Sequence, residues 1–231
     1  HMQTPFEYLD GKPPVVCSRM PLLSVFGLEY VLEPLMLGGT IVISDDLNFM
    51  ASAGVNTVVG SPSQHMHLCE QALPSAKIKC AVVGGGHCSD RLFDSLLERF
   101  DFVQHQFGCA ELARIAFNRF SIGAMNRSSV GKPIPTARIE IVDVTDAPVP
   151  PMTIGAVRTR SDTTAASVVG ENAPEIFRNG WFYTGDMGFV SEEGELTIIG
   201  RADESMNFLR GKVNMSAVED PIIDTEGVKD A

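Results

Sequence analysis

Short apolar runs alternate with stretches of helical periodicity through the first half of the chain, and this alternation limits the possible folds more than any other feature. Four runs are short and rich in β-branched residues, at 40–44, 55–60, 79–85 and 101–107. Three amphipathic stretches precede or separate them, at 28–37, 63–73 and 90–99. Ser89 or Asp90 is expected to cap the last of these helices. Because strands that alternate with helices favour parallel pairing, we predict an α/β fold with a mainly parallel sheet.

The chain changes character after Ser121, where Gly and Pro separate runs that are rich in β-branched and aromatic residues. Residues 191–195 read Ser-Glu-Glu-Gly-Glu, which is typical of a hairpin turn, and 146–155 read as a loop. We therefore predict that a small antiparallel β subdomain follows the strand-helix subdomain.

The charge of the chain argues against several classes of partner. It carries 29 acidic and 18 basic residues, a net charge of -11, whereas binding to a nucleic-acid backbone needs clustered Lys and Arg. No apolar run approaches the length of a bilayer span, and no signal-peptide pattern is present. We expect a cytoplasmic protein without nucleic-acid partner or integral membrane segment; the sequence does not indicate its oligomeric state.

The five cysteines are scattered without a Cys-x-x-Cys pair, which disfavours both a disulfide framework and a zinc site. His65 and Cys69 are spaced to share one helical face, with His67 between them, but no second pair completes four ligands. We interpret this stretch as a core helix and the cysteines as reduced thiols.

The most specific motif lies at 180–204, which reads GWFYTGDMGFVSEEGELTIIGRADE. Thr-Gly-Asp, ending at Asp186, is by itself a common turn tripeptide. Here a Gly-Arg-x-Asp element follows it at a fixed distance and supplies Arg201 and Asp203. The pair of elements is therefore more informative than either alone.

Two further segments could contact a flat, phosphorylated ligand. Three glycines follow a predicted strand at 84–86, and glycine lets a ligand lie directly on the backbone, although the same triplet suits an ordinary strand-to-helix turn. The second segment, 107–115, reads FGCAELARI. It offers the ring of Phe107 for stacking on a purine and the carboxylate of Glu111 as a hard ligand for Mg²⁺.

In order and spacing these segments resemble the adenylate-forming superfamily, which includes the acyl-CoA synthetases and other AMP-dependent ligases. The resemblance extends over nearly all of 15–220 and implies a set of ATP- and AMP-binding residues: Gly84, Gly85, Gly86, Phe107, Gly108, Cys109, Ala110, Glu111, Asp186 and Arg201. By this resemblance Phe107 stacks on adenine and Glu111 holds the Mg²⁺ that bridges the phosphates. The resemblance likewise implies that Asp186 and Arg201 hold the ribose hydroxyls. Ala110 replaces the family's threonine, so a hydroxyl for the α-phosphate is missing.

A second part of the resemblance concerns the acid substrate. The family usually reads Pro-Leu-Phe-His near residue 21, but Leu23 and Ser24 stand in place of the Phe and His. The resemblance then implies an acyl pocket with Ser24, Val25 and Phe26 on one side and no imidazole. With no acidic residue there to pair a substrate ammonium, an acyl or aryl acid is favoured over an α-amino acid.

The resemblance also implies a division of the chain. Residues 3–122 form the α/β subdomain with the adenine and acyl pockets, 123–203 the β-rich subdomain that ends at the hinge Asp203, and 204–231 the start of a small C-terminal domain. Gly211 falls in the turn beside that domain's thiol channel. We expect the residues from Glu204 onward to be mobile, because a lone opening segment has little to pack against.

Two catalytic elements of the family find no match in the chain. A Gly-, Ser- and Thr-rich phosphate loop is expected before residue 1, and a lysine of the small domain beyond Ala231. Electrostatic groups of this kind often provide the largest catalytic contribution, so we expect the chain alone to have little or no adenylation activity.

For the parent enzyme, the resemblance implies attack of a carboxylate on the α-phosphate of ATP, followed by transfer of the acyl group to a thiol. Coenzyme A is the expected acceptor. Two alternatives stay open at this point: an enzyme that loads a carrier protein or an amine, and a non-catalytic binding module or one half of a split ligase.

Overall fold

The structure, a computed structural model, describes residues 5–124, 127–168 and 176–203. It also describes the backbone of 205–208 and 211–214, and residues 222, 225 and 228. Glu204 and most of the residues after it lie outside this set. The small domain and the mobility expected there therefore stay predictions.

The described residues form four α-helices and fourteen strands, after a single 3₁₀ turn at Glu7–Leu9. The helices are α1 Val25–Met36, α2 Leu47–Ser52, α3 Pro62–Cys69 and α4 Asp90–Arg99. The first strands are β1 Val15–Ser18, β2 Thr40–Ile41, β3 Thr57–Gly60, β4 Ile78–Val83, β5 Phe100–Cys109, β6 Ala113–Phe120 and β7 Ser129–Pro133. The later strands are β8 Ala137–Val142, β9 Gly155–Ser161, β10 Phe177–Arg178, β11 Trp181–Val190, β12 Leu196–Arg201, β13 Ser205–Phe208 and β14 Gly211–Asn214.

Twelve of these strands belong to one continuous sheet, in the order β2-β1-β3-β4-β5-β6-β7-β12-β11-β9-β8, with β10 paired to β11. All pairs from β2 to β5 are parallel, and all pairs from β5 onward are antiparallel. The remaining two strands, β13 and β14, pair with each other. The predicted fold class, a mainly parallel α/β part followed by an antiparallel part, is confirmed.

Helices cover both faces of the parallel part of the sheet. Alternate residues of β4 separate two apolar clusters, because successive side chains of a strand point to opposite faces. Ala81 and Val83 pack with α2, α3 and α4 on one face. Cys80 and Val82 pack with Tyr30 of α1 on the other. Among the described residues no helix is long and apolar enough to cross a membrane.

Local side-chain bonds explain where several elements begin and end. Ser89 caps α4, as expected, by accepting a hydrogen bond from the backbone N–H of Leu92 at 3.3 Å. Ser61 and Gln64 form a capping box at the start of α3. The predicted hairpin turn at 191–195 joins β11 to β12, where the backbone N–H of Gly194 donates to the carbonyl of Ser191.

Several predicted boundaries were wrong. The run at 40–44 forms only the two residues of β2, and the helix predicted at 63–73 ends at Cys69. The helix predicted from residue 28 begins at Val25, because the side chain of Ser24 accepts from the backbone N–H of Gly27 at 3.0 Å. The strand β1 and the six-residue helix α2 were not predicted, since both are too short for a clear periodicity.

The cap of α4 gives a test of the fold. Replacing Ser89 by Ala strands a backbone N–H, so we expect Ser89→Ala to lower the free energy of unfolding by about 1 kcal/mol. Ser95→Ala makes the same chemical change in the middle of α4, where alanine is the better helix former, and we expect no loss. Urea unfolding of both variants measures the difference; equal destabilisation would contradict the assigned cap.

Candidate functional site

A cavity of about 440 Å³ lies where the carboxyl end of the parallel strands meets β11 and β12. This volume falls in the range of small-molecule sites. Its wall consists of Gly85, Gly86, His87, His105, Gln106, Phe107, Gly108, Cys109, Ser128, Val130, Thr184, Asp186, Ile198, Ile199, Gly200 and Arg201. Seven of the predicted nucleotide residues are therefore brought together, whereas Gly84, Ala110 and Glu111 are not part of this wall.

The glycine segment forms one side of the cavity for definite steric reasons. Gly85 has a φ of +79°, which favours glycine. A Cβ on Gly84 would lie 3.0 Å from both the ring of Phe26 and Cγ of Gln106, so this glycine lets both side chains approach the strand end. A Cβ on Gly86 would lie 3.3 Å from the ring of Pro62. The segment is thus flat on one side and tightly packed on the other.

The aromatic segment follows at the end of β5. Phe107 pairs with Ala116 of β6, and its half-buried ring packs between two apolar clusters that extend into the antiparallel part. At Gly108 a Cβ would lie only 2.3 Å from the carbonyl oxygen of Ala113. The chain therefore turns back sharply, with Ala113 at a φ of 59°. This turn holds Phe107 at the cavity.

Ala110, Glu111 and Leu112 form that turn, directly after Cys109 at the end of β5. The carbonyl of Glu111 accepts from the backbone N–H of Ala165 at 2.7 Å, which ties the turn to the segment after β9. Burial and the adjacent Glu111 carboxylate raise the pKa of the Cys109 thiol to about 12, so the thiol stays protonated. No group of three His, Cys, Asp or Glu side chains among the described residues is arranged to hold a metal ion.

Asp186 and Arg201 lie opposite each other on β11 and β12. Nη1 of Arg201 donates to the carbonyl of Thr184 at 2.7 Å and lies 3.6 Å from Oδ1 of Asp186. The guanidinium also covers Gly185, where a Cβ would lie 2.7 Å from its Nη2. The arginine is thereby anchored against β11, and it faces the carboxylate.

The Asp186 side chain is only 15 % exposed at the cavity wall. Its burial raises the pKa of the carboxyl above the ordinary value, although Thr184 and Arg201 favour the ionised form. The predicted hinge residue Asp203 is by contrast 72 % exposed, and it accepts from Nε of Arg201 at 3.2 Å. Asp203 therefore lies beside the cavity and not in its wall.

The three residues predicted for the acyl pocket are not equivalent. Ser24 caps α1, and neither Ser24 nor Val25 is among the residues that line the described cavity. The ring of Phe26 reaches Gly84 and lies next to the wall. The helix also carries two acidic residues, Glu29 and Glu33, which the sequence did not place near this site.

Both carboxylates face one arginine of β6. Nη1 of Arg114 lies 2.9 Å from Oε1 of Glu29, and Nη2 lies 3.7 Å from Oε2 of Glu33. Burial raises the pKa of both carboxyls, against the opposing effect of Arg114. The helix therefore presents a paired charge cluster and not an isolated acid.

Sequence reasoning missed several wall residues, because a motif does not show which of its members, or which residues of the strands around it, face a cavity. These are His87, His105, Gln106, Ser128, Val130, Thr184, Ile198, Ile199 and Gly200. Burial lowers the pKa of His105 to about 4, and the charge of His87 acts in the same direction. His105 is therefore neutral near pH 7. Ser128 directly precedes β7, and Val130 lies within it.

The raised pKa of Asp186 predicts how stability depends on pH. The folded state binds the proton more tightly than the unfolded state, so the stability that the protonated group contributes is lost as pH rises from about 4 through the folded pKa. Asp186→Asn should remove this loss. We expect the free energy of unfolding of the variant, relative to the parent, to increase between pH 4 and pH 7. Urea titrations with Glu192→Gln as baseline measure it; parallel pH curves would contradict the assigned burial.

Comparison with known proteins identifies the family of the chain. The AMP-binding enzyme model matches residues 2–167. Two 2-succinylbenzoate–CoA ligases, from Enterococcus faecalis and Bacillus mycoides, are 25% and 28% identical to the chain. Each alignment covers 80% of this chain, but only 40% and 41% of the relative. The chain thus spans about two fifths of the length of these curated relatives.

Solved structures show the same fold. The O-succinylbenzoate coenzyme A synthetase from Bacillus subtilis, in complex with AMP, matches with a TM-score of 0.84 at 20% identity, over 97% of this chain and 49% of that one. An amide bond synthetase from Marinactinospora thermotolerans matches with a TM-score of 0.82 at 24% identity, over 97% and 50%. The family model covers well over half of the chain, so this protein belongs to the AMP-binding enzyme family.

Proposed function

We propose that the cavity binds AMP and acyl-adenylates, and that the chain provides the nucleotide-holding part of an ATP-dependent acid ligase. The observation that carries this proposal is the convergence of three sequence motifs on one cavity. Gly85 and Gly86, Phe107 and Asp186 are more than twenty residues apart from motif to motif, yet all line the same wall. A purine would use the aromatic ring and the open glycine backbone, and a ribose would use the carboxylate.

Adenine suits the wall between the glycine segment and Phe107. The half-buried ring offers a face for stacking, and Gly85 and Gly86 leave the backbone open to a flat base. The neutral imidazole of His105 adds a polar group on the same strand. These contacts support stacking of adenine on Phe107. Gly84 does not line the cavity, but it leaves room for the side chains of Phe26 and Gln106 beside it.

The ribose suits Asp186. A carboxylate has two oxygens that accept from a pair of adjacent hydroxyls, and burial makes it costly to leave those oxygens without donors. Arg201 is already bonded to Thr184 and faces Asp186. We therefore assign Arg201 the role of orienting Asp186, in addition to the ribose contact that the resemblance implies.

The phosphates and Mg²⁺ suit the turn after β5. Mg²⁺ commonly takes one or two protein carboxylates and completes its shell with water and phosphate oxygens, so the single carboxylate of Glu111 is compatible with it. The ion would neutralise phosphate charge when bound. Gly108, Cys109 and Ala110 would lie alongside the phosphates through their backbone.

The activity of the whole protein is part of this proposal. The 2-succinylbenzoate–CoA ligases support a carboxylic acid as substrate and coenzyme A as acceptor, with acyl-AMP between the two steps. The division into 3–122, 123–203 and 204–231, with Asp203 as hinge, also stays a proposal. One continuous sheet crosses the first of these boundaries, so the first two parts would move as one.

The ribose assignment predicts a selective loss of affinity. Asp186→Ala should weaken AMP binding by about 1 to 3 kcal/mol, because buried donor and acceptor groups lose their partner. The variant should bind AMP and 2′,3′-dideoxy-AMP equally, whereas the parent should prefer AMP. Calorimetry with the four combinations measures the coupling, and Asp101→Ala, at the far end of β5, is the control. A preference for AMP that survives in Asp186→Ala would contradict the assignment.

The missing hydroxyl at position 110 predicts a gain. Ala110→Thr should tighten AMP binding by about 1 kcal/mol if the new hydroxyl reaches the α-phosphate. Ala110→Val has nearly the same shape without the hydroxyl and should show no gain. Equal affinities of the two variants would place the phosphate away from this turn. A gain would favour the view that the parent binds the nucleotide with weakened phosphate contacts.

A further inference from the structure

A chain of hydrogen bonds on the α1 face of the sheet connects the cavity to Arg119 of β6. Nε of Arg119 donates to Oε1 of Gln104 at 2.8 Å, and Nε2 of Gln104 donates to the hydroxyl of Tyr30 at 3.1 Å. The Tyr30 hydroxyl in turn donates to Oε1 of Gln106 at 2.7 Å. Gln106 is 6% exposed and lines the cavity. We call these four residues the relay.

The direction of the relay is fixed by its first member. An arginine Nε–H can only donate, so Gln104 must turn its oxygen toward Arg119 and its nitrogen toward Tyr30. The Tyr30 hydroxyl accepts that bond and has one hydrogen left to donate. Gln106 must therefore present its oxygen to Tyr30. This resolves which way both amides point, a choice that heavy-atom positions alone often leave open.

The relay is held rigidly in place. The guanidinium of Arg119 lies 5.1 Å from the ring centroids of Tyr8 and Phe117, and its Nη2 donates to the carbonyl of Pro5 at 3.2 Å. Tyr30 and Gln104 are fully buried. Burial also raises the pKa of the Tyr30 hydroxyl, which keeps it protonated and able to donate at neutral pH.

The consequence is a polarised donor at the cavity. With its oxygen bonded to Tyr30, the carboxamide of Gln106 turns Nε2 and its two hydrogens away. Within the described residues this nitrogen makes no hydrogen bond, and it is not fully enclosed. A nearly buried N–H group without an acceptor is unfavourable, so a ligand oxygen would be bound there selectively.

The part of the ligand that meets Gln106 follows from the strand geometry. Successive side chains of β5 point to opposite faces of the sheet. Gln106 lies on the face covered by α1, where it bonds Tyr30, and Phe107 lies on the other face, where it packs with the apolar clusters of the antiparallel strands. Cγ of Gln106 packs beside Gly84, next to the ring of Phe26. A nucleotide on Phe107 and Asp186 leaves this side of the cavity to the acyl group.

We propose that Gln106 determines the substrate class: its amide N–H donates a hydrogen bond to an oxygen that the acid carries in addition to its reacting carboxylate. The favoured substrates are therefore oxo, hydroxy or dicarboxylic acids and not simple hydrocarbon acids. Tyr30, Gln104 and Arg119 are positioning residues for this donor. The inference rests on the proposed function, because it takes the cavity as an acyl-adenylate site.

The test uses the purified chain and acyl sulfamoyl adenosines, which are unreactive mimics of an acyl-adenylate. Three matched pairs carry phenylalkanoyl groups that differ only by a carbonyl in place of a methylene, at the third, fourth or fifth carbon. We expect the parent to bind the carbonyl member of at least one pair about 10-fold or more tightly. Calorimetry gives the ratio of the two dissociation constants.

Two variants of Gln106 keep the test independent of folding defects. Gln106→Glu retains an acceptor for Tyr30 but has no N–H donor, and Gln106→Met has a similar size and neither group. In both, the ratio within the pair should fall to about one or below. A general loss of affinity cancels in this ratio, since both ligands are measured on the same protein.

The positioning role has its own control. Tyr30→Phe releases the amide of Gln106, so the logarithm of the ratio should fall by at least half. Tyr183→Phe removes a hydroxyl that accepts from Arg158 away from the cavity, so it should leave the ratio unchanged. Two results overturn this inference alone. In the first, the unchanged chain binds AMP but prefers neither member of any ligand pair. In the second, the preference for the carbonyl ligand persists in Gln106→Met. Failure of the unchanged chain to bind AMP overturns the proposed function together with it.

Discussion

The double pairing of β5 determines how the other strands and the cavity are arranged. This strand is parallel to β4 along one edge and antiparallel to β6 along the other, so it joins the two halves of one sheet. The close approach of Gly108 to Ala113 lets β6 begin directly after β5 ends. The carboxyl ends of parallel strands, where ligands commonly bind in α/β proteins, are thereby brought against β11 and β12. The cavity is a direct result of this change of strand direction.

Charged and polar groups around the cavity are held in place by partners behind them. Arg201 lies against Gly185 and faces Asp186. Burial raises the pKa of Asp186, so the protein keeps this carboxyl group in an environment that disfavours its charged form. The Tyr30 hydroxyl orients Gln106 in a similar manner. In both cases a side chain on a neighbouring element, Arg201 or Tyr30, orients the group that the cavity presents to a ligand. Such preorganised groups are typical of binding sites and not of apolar cores.

Much of the fold and part of the site could be predicted from the sequence. The runs around β3 and β4 are short and β-branched, and Ser89 marks the start of α4, because these signals are local. The ordered motifs also singled out Phe107, Asp186 and Arg201, which the structure places in one cavity wall. The relay could not be predicted, since Tyr30 and Gln106 are 76 residues apart and neither belongs to a motif. Helix α2 was missed because six residues show no clear period.

We propose that the cavity at the junction of the two sheet halves binds a nucleotide in one orientation. A crystal structure of the chain with AMP would show that orientation. We expect adenine stacked on the ring of Phe107 beside the glycine segment, and a ribose hydroxyl within about 3 Å of an Asp186 carboxylate oxygen. AMP bound at another surface, or bound in the cavity with its ribose remote from Asp186, would contradict it.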